Sequence, residues 1–596
     1  MLLRKKVPPG LPSAARSLAV GLTPAAGILG FAYLVRRLLH YTLPTFAIVL
    51  VIILSTPSFY ALRIVLRMLR IRRAAARAGA ILPPQWEGQS FANLDLLKHV
   101  LERLRNGYLG EGAWDKMDEF GGLYNISVMW DEIYLTTDAN VVKAVLATEF
   151  TDFEKGEVFR DAMGTVLGTG VFNADGELWK FHRQMTRPYF SRDRITHFEM
   201  FDRHAEQLLL KLKERFRGGH AVDFQDAISR FTLDSATEFL FGKCVNSLDS
   251  ELPYAHNDPI APKLLREKDA AERFSAAFTG AQEVIAMREK IGWMWHLQEL
   301  FHDKSEVHMR VVDAFLQPIL EEAIAKNRAA KIRSAKFGDE EEEETLLDHL
   351  VKITDDPVVL HDETLNILIA GRDTTATTLT FAVYLMCLYP EVFKRLRAEV
   401  LEKVGPTQMP TFDDVRNMKY LRAVINETLR LYPAVPFNVR VANRDTTLPN
   451  PNPAGPRVFI PQDTSISYSV FLMHRRKDYW GPDALHFDPE RWLDERLNKY
   501  FTANPFIFVP FNAGPRICLG QQFAYNEMSF FLIRLLQNFS HMELDLSAQP
   551  PEARPRPEWA SAEGQKGKEK IVPKSHLTLY VQGGLWLKMT EAERDA

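Results

Sequence analysis

The chain has 596 residues, 46% of them hydrophobic and 25% charged, which is material for a large globular core and not for a disordered or fibrous chain. A formal net charge of −3 gives no electrostatic basis for binding nucleic acid. The three cysteines, Cys244, Cys387 and Cys518, make neither a disulfide framework nor a structural zinc set, so chemistry at any of them needs a metal or cofactor and a reducing compartment.

The first 80 residues read as a membrane anchor. Ser17 to Val35 and Tyr41 to Leu62 carry no charge, and the second run is long enough to cross a hydrocarbon core of about 30 Å. Six arginines follow between Arg63 and Arg77, which places that end on the cytosolic side. Arg4, Lys5 and Lys6 favour the same side, so two spans satisfy the charge rule better than one, although Pro24 interrupts the first. Pro83-Pro84 then reads as a stiff hinge between the anchor and a catalytic body over residues 81–596.

Leu123 to Val128 and Ile133 to Thr136 read as a β-hairpin around Trp130-Asp131. Helical periodicity follows over Val141 to Ala147, Phe198 to Phe216, Phe224 to Leu240, Val311 to Ala325 and Asp362 to Tyr389, the last ended by Pro390. Further helices are expected at Val392 to Val404 and Met418 to Leu431. Asp339 to Glu344 is a pure acidic run of solvated-loop type, and Gln549 to Lys570 reads as a polar surface insertion. The fold class is mainly α with small β-sheets.

Three segments carry chemistry. The Asp362 to Tyr389 helix, about 40 Å long, has a polar insert, AGRDTTATT, at Ala370 to Thr378. There the small pair Ala370-Gly371 leaves room for a diatomic ligand, Thr374 can bond its own helix or a ligand, and Asp373 can relay protons from solvent. NETLRLYP puts Glu427 and Arg430 on one helix face at i, i+3. FVPFNAGPRICLGQQFAYNE sets Cys518 where a loop turns into a helix, so backbone N–H groups and the helix dipole are expected to lower its pKa. Gly514 and Gly520 let that backbone turn tightly and approach a flat cofactor, and Phe511 can shield the sulfur.

Phe511, Gly514, Arg516, Cys518 and Gly520 match, at every specified spacing, the heme-binding loop of cytochromes P-450, and the chain resembles this superfamily from about Pro83 onward. The resemblance implies heme b with Cys518 as axial thiolate ligand of the iron, and Thr374 and Asp373 as oxygen-activating residues. It implies a buried network of Glu427, Arg430 and Arg491, the last from FDPERW, beneath the cysteine loop. It also implies that Trp179 and Arg183 of WKFHR, with Arg440 and Arg516, face the heme propionates. His182 and the other histidines show no metal-ligand spacing. Members that only rearrange peroxides commonly lack the threonine, so Thr374 argues against that class and against a heme sensor without turnover.

By the same resemblance the substrate pocket takes Val166, Leu167, Phe172, Ile369, Val435, Phe437 and Leu585, all apolar, with Arg372 able to reach a carboxylate. The loop NAGPRICLGQQFAYNE is similar to that of fungal microsomal members that hydroxylate n-alkanes and fatty acids. Terpenoids, steroids and xenobiotics are further lipophilic candidates. O2 and NADPH are the expected co-substrates. No flavin extension follows Trp586, so electrons are expected from an NADPH-cytochrome P-450 reductase, with cytochrome b5 as a second donor, at the endoplasmic reticulum with the body facing the cytosol.

Overall fold

The computed structural model describes residues 7–190, 198–261, 269–337 and 345–593. Arg4, Lys5, Lys6 and the acidic run Asp339 to Glu344 lie outside them. Two apolar helices, Gly10–Leu39 and Thr45–Arg77, form a hairpin with mean hydropathy of 1.8 and 2.0 over their most apolar stretches, none of it buried. They are about 45 and 50 Å long at 1.5 Å per residue, enough to span a bilayer. Both outer ends return to the body. The Gly10 N–H donates to the Glu299 carbonyl at 3.2 Å, and Arg67 and Arg70 lie 3.6 Å from Glu132 and Asp445. The turn between the two helices is therefore the far end of the anchor.

Pro83-Pro84 is not a hinge. Ile81 N–H donates to Arg457 O at 3.0 Å, Phe459 N–H to Ile81 O at 2.7 Å, and Asn125 N–H to Pro84 O at 2.8 Å. Gln85–Trp86 continues as an edge strand parallel to Leu123–Val128. Proline lacks an N–H to donate but keeps its carbonyl, so a Pro-Pro pair is compatible with a sheet edge.

The expected hairpin is present as Leu123–Val128 and Asp131–Thr136, with the turn at Met129-Trp130, whose φ values are +51° and +64°. It belongs to a six-stranded mixed sheet in the order Gln85–Trp86, Leu123–Val128, Asp131–Thr136, Ser465–Ser469, Phe437–Ala442, Phe153–Glu154. A three-stranded sheet of Phe539–Leu544, Trp586–Glu591 and Val222–Asp223 lies apart from it, and most of the remaining elements are helical. The helix expected from Asp362 begins at Pro357, because Asp356 caps Val358 N–H at 2.8 Å and proline is well suited to a first helical turn. It ends at Leu388, just before Pro390. Most of its residues are buried, polar ones such as Asp362, Glu363 and Asn366 included, so it runs through the centre of the body.

Two large apolar clusters meet along it. One gathers its C-terminal half with Phe224–Phe241, Lys419–Leu431 and Gln521–Asn538. The other gathers its N-terminal half with Gly156–Leu167, Ala270–Ile291 and Glu306–Phe337. Helices Gly156–Leu167 and Ala270–Ile291 have no counterpart among the elements expected from periodicity. Gln549 to Lys570 is not a surface insertion either, since Trp559, Gln565 and Glu569 are buried. The Glu569 carboxylate accepts hydrogen bonds from Tyr108, Tyr384 and Tyr432 at 2.8, 2.6 and 2.5 Å, which makes burial of that acid tolerable.

A chain lacking residues 1–78 is expected to leave carbonate-washed membranes and keep its fold. A chain lacking residues 1–87 loses the edge strand and should unfold at a lower temperature, by roughly 1 kcal/mol for each backbone hydrogen bond removed. Membrane retention of the shorter truncation would place the anchor elsewhere.

Candidate active site

Residues 508–520 form a loop, and the helix Gln521–Asn538 starts directly after them. Gly514 has φ +67°, and a Cβ there would sit 1.9 Å from the Leu146 carbonyl oxygen, so the turn requires glycine. Gly520 differs, with φ −86° and only Phe190 within 3.6 Å of an added Cβ. The Cys518 N–H donates to Phe511 O at 3.0 Å, closing the loop on itself, while the Phe511 ring leans on Tyr525 at 5.2 Å. Cys518 lies deep in the body yet keeps accessible surface, so its side opens on an internal cleft. Burial raises the free thiol's pKa, against the pull of the Gly520 N–H and the Arg183 charge. The expected lowering by the helix terminus is therefore outweighed, and a thiolate here needs a metal to draw it out.

The expected network holds this loop from behind. Arg430 grips Glu427 through two hydrogen bonds of 2.8 Å, and Arg491 reaches it at 3.5 Å, all three residues being fully buried. Trp492 Nε1–H and Asp488 N–H each donate to Glu427 at 3.0 Å. Burial disfavours the carboxylate's charge, but the two guanidiniums and these hydrogen bonds hold its pKa below the usual range. His474, missed in the sequence, relays the network to the loop. Its Nδ1 lies 3.2 Å from Arg430 O and its Nε2 accepts from Val509 N–H at 3.0 Å. Burial, and then the Arg430 charge, push its pKa down to about 3, so the ring stays neutral with Nδ1 as donor.

A second expected segment lies in the middle of the Pro357–Leu388 helix. Thr374 Oγ1–H donates to Ala370 O at 2.7 Å, which keeps the hydroxyl on its own helix. Ala370 and Thr374 share a face at i, i+4, but Gly371 lies beside Ala236, whose Cβ would be 3.6 Å from an added one. Asp373 is 3.2 Å from Arg372, and one of its oxygens is buried without a partner. Burial raises its pKa despite Arg372 and Gln282. Arg372 is engaged through its two Nη atoms, while its Nε is buried without a partner. It donates to Ser275 and Thr279 at 3.0 and 3.3 Å and lies over Phe278.

The pocket candidates divide. Val166, Leu167 and Ile369 share one apolar cluster. Phe172 retains 38% exposure, and its loop is stapled to the central helix. Thr169, Val171 and Phe172 N–H groups donate to Asp362, Glu363 and Asn366 at 2.7, 3.0 and 3.1 Å. Glu363 also takes Thr186 at 2.7 Å and faces His182 at 2.9 Å, so that histidine is structural. Val435 is half-buried, and Phe437 stacks on Trp114 at 5.7 Å. Leu585 belongs to the opposite cluster, against the expectation. The C-terminal element that reaches the chamber is the hairpin Pro573–Ser575 and Leu579–Val581, whose tip residue Leu577 joins Val166 and Ile369. Nothing in its local sequence marked it, because the tip is placed by a distant bond from Thr377 Oγ1–H to Leu579 O. Donor atoms of His204, Asp234 and Cys244 come within 4.8 Å of one another, a grouping sequence spacing did not reveal, although Glu238 occupies His204 Nε2 at 2.7 Å.

At one rim of the cleft four cations converge. Arg516 stands over the Trp179 ring at 4.5 Å and pairs with Asp175 at 2.8 Å, with its Nε buried and unpartnered. Arg183 is 5.9 Å from the same ring, and buried Arg440 donates from Nη1 to Val439 O at 2.7 Å. Lys155, missed in the sequence, is the fourth, 4.1 Å from the Phe159 ring. Burial and then the Arg440 and Arg516 charges drive the Lys155 pKa well down, and burial with Arg440 lowers that of Arg516 to about 10.

The cytochrome P450 family model matches residues 92–561. The chain belongs to the cytochrome P450 family. It is 40% identical over 418 residues to cytochrome P450 52E1 of Candida apicola, covering 69% of this chain and 76% of that one. With cytochrome P450 52A3-B of Candida maltosa it shares 36% over 486 residues, 79% of this chain and 87% of the other. With cytochrome P450 52A6 of Candida tropicalis it shares 35% over 527 residues, 85% and 91%.

A P450 of this family is a monooxygenase with heme held by a cysteine thiolate, and the residues present fit that group. Cys518 keeps accessible surface, and at the rim the Arg516 Nε stays buried and unpartnered although Asp175, Glu154 and Glu289 lie among the four cations. A flat dianion with two carboxylates would satisfy both features. Cys518 would hold the iron, and Lys155, Trp179, Arg183, Arg440 and Arg516 would hold its acid edge.

Two measurements test this site. The reduced, CO-bound protein should show the long-wavelength Soret band of thiolate ligation, lost in Cys518→Ser and kept in Cys244→Ser and Cys387→Ser. For His474, the unfolded ring takes up a proton near pH 6.5 that the folded ring refuses down to about pH 3. Its contribution to stability is thus present at neutral pH and lost as pH falls below 6.5. In urea unfolding, the stability difference between wild type and His474→Gln should shrink by up to about 1.4 kcal/mol per unit between pH 6 and 5. A difference independent of pH would show that His474 is not the group that titrates.

Proposed function

We propose that this P450 inserts one oxygen atom of O2 into lipophilic substrates, long-chain alkanes and fatty acids first, terpenoid, steroid or xenobiotic compounds second. The observation that carries the reading is the apolar cluster of Val166, Leu167, Ile369 and Leu577. Arg372, the one charged candidate, is already held by Ser275, Thr279 and Asp373. The similarity of the cysteine loop to alkane- and fatty-acid-hydroxylating fungal members points the same way.

Bound heme supplies oxygen activation, with the thiolate pushing electron density toward the iron. The chain supplies the protons and the exclusion of water. Burial raises the Asp373 pKa, which favours its acid form and suits the group to passing a proton toward Thr374. Thr374 can turn its hydroxyl from Ala370 O into the cleft and pass that proton on, at a cost of one intrahelical hydrogen bond. The stapled Gly168–Asn173 loop closes the space from the side.

Electrons are proposed to come from NADPH through a membrane-bound NADPH-cytochrome P-450 reductase, with cytochrome b5 as a second donor. The anchor hairpin, with six arginines at its body end, supports residence in the endoplasmic reticulum with the body on the cytosolic side.

Thr374→Ala should bind heme and substrate almost as wild type does, but divert most of the NADPH consumed into hydrogen peroxide. NADPH oxidation, peroxide and hydroxylated product would be measured with dodecane, lauric acid and a tricyclic diterpenoid. Unchanged coupling would remove Thr374 from the proton path. Preference for a small, highly polar substrate would remove the apolar reading while leaving the family assignment intact.

A further inference from the structure

Arg288 closes the last turn of the helix Ala270–Ile291 and is 1% exposed. Its guanidinium is held on every side. Nε and Nη2 donate to the two Glu299 oxygens at 2.9 and 2.6 Å, and Nη2 also donates to Asp303 at 2.8 Å. Nη1 donates to Ala162 O and Thr165 Oγ1 at 3.2 and 2.6 Å. Asp303 further accepts from Ser305 N–H and Oγ–H at 2.8 and 2.6 Å, and Ser305 Oγ meets Thr165 Oγ1 at 2.8 Å. One side chain thus joins three segments. They are the roof helix Ala270–Ile291, the connection over residues 292–305, and the wall helix Gly156–Leu167, which gives Met163, Val166 and Leu167 to the chamber.

The anchor touches the outside of the same joint. Gly10 is buried, donates to Glu299 O, and leaves no room for a side chain, since a Cβ would lie 2.0 Å from His296 O. Two turns later Arg16 bonds Glu157, on the wall helix, at 2.7 Å. A buried ion cluster of this kind is stable only when complete, because a half-broken one leaves charge out of water. Opening the joint would therefore require Arg288, Glu299 and Asp303 to be hydrated together.

We propose that Arg288 is a positioning residue that latches the roof of the substrate chamber to its wall, and that the docked N-terminal end of the anchor seats that latch. The proposal rests on reading the space beside Cys518 as the substrate chamber. A membrane-embedded substrate then meets a chamber that closes fully only when the anchor is docked.

The test uses full-length, heme-loaded protein in lipid nanodiscs, with an intact CO-bound Soret band as the check of fold. The triple variant Arg288→Met/Glu299→Gln/Asp303→Asn removes the charges together, Arg288→Lys keeps the charge without the fork, and Gly10→Leu displaces the anchor end. Hydrogen exchange without ligand reads the joint directly. Residues 156–167 and 295–305 should speed up together by about tenfold in the triple variant, by less in Arg288→Lys, and in the same direction in Gly10→Leu. Stopped-flow binding reads the chamber. Release of 4-phenylimidazole should be about tenfold faster, while release of imidazole, small enough to pass a closed chamber, stays within about twofold. If the triple variant loses its Soret band, Arg288→Lys carries the same comparison. Exchange and release within about twofold of wild type in folded protein overturn the latch. A normal Gly10→Leu overturns its link to the anchor. Neither readout needs turnover, so failure with dodecane or lauric acid would count against the proposed substrates and not against the latch.

Discussion

The buried carboxylate of Glu427 is the constraint on which the site depends. A charge in that position is tolerable only while Arg430, Arg491, Trp492 and the Asp488 N–H all point at it, and those groups come from two distant stretches of chain. Satisfying one acid therefore fixes the helix Lys419–Leu431 against the segment around residues 483–492. His474 carries the same demand forward, since it can accept from Val509 N–H only if it remains neutral and donates from Nδ1. The cysteine loop inherits its position from an electrostatic debt several residues away.

Elsewhere around the site the constraints are close backbone contact and hydrogen bonds between distant segments. Gly514 lets the loop press on the Leu146 carbonyl, and the stapled residues Gly168 to Asn173 borrow Asp362, Glu363 and Asn366 from the central helix. Cofactor rim and chamber thus have different origins. The rim is a concentration of buried positive charge, and the chamber is an apolar cluster with a few buried polar groups beside it, of which Asp373 keeps one oxygen unpartnered.

Much of this was legible in the sequence, for a physical reason in each case. Cys518, Gly514 and Arg516 stand at fixed spacing because a short turn must place them, and Glu427 and Arg430 share one helix turn. The hydropathy of the anchor helices needs no tertiary context. What could not be read arises between segments far apart. Lys155 joins the cationic rim only because Arg440 and Arg516 arrive there, and Leu577 reaches the chamber because Thr377 holds its hairpin. Leu585 was misplaced because an apolar residue near a turn carries no sign of which core will take it. Pro83-Pro84 looked like a hinge because sequence displays the missing proton donors and not the carbonyl that a neighbouring strand uses.

The tyrosines gathered on Glu569 bear on how the molecule is made. Tyr108 and Glu569 are separated by 461 positions, and Tyr384 and Tyr432 wait on the same carboxylate. With synthesis at about 5–20 residues per second, the ribosome delivers Glu569 tens of seconds after Tyr108. Through that interval the anchor has already been made, while the core beside Tyr384 and Tyr432 still lacks its closing acid. The body must then finish folding after translation, tethered to the membrane, and the cell's chaperones meet it as a nearly complete chain whose last stretch has yet to be tucked in.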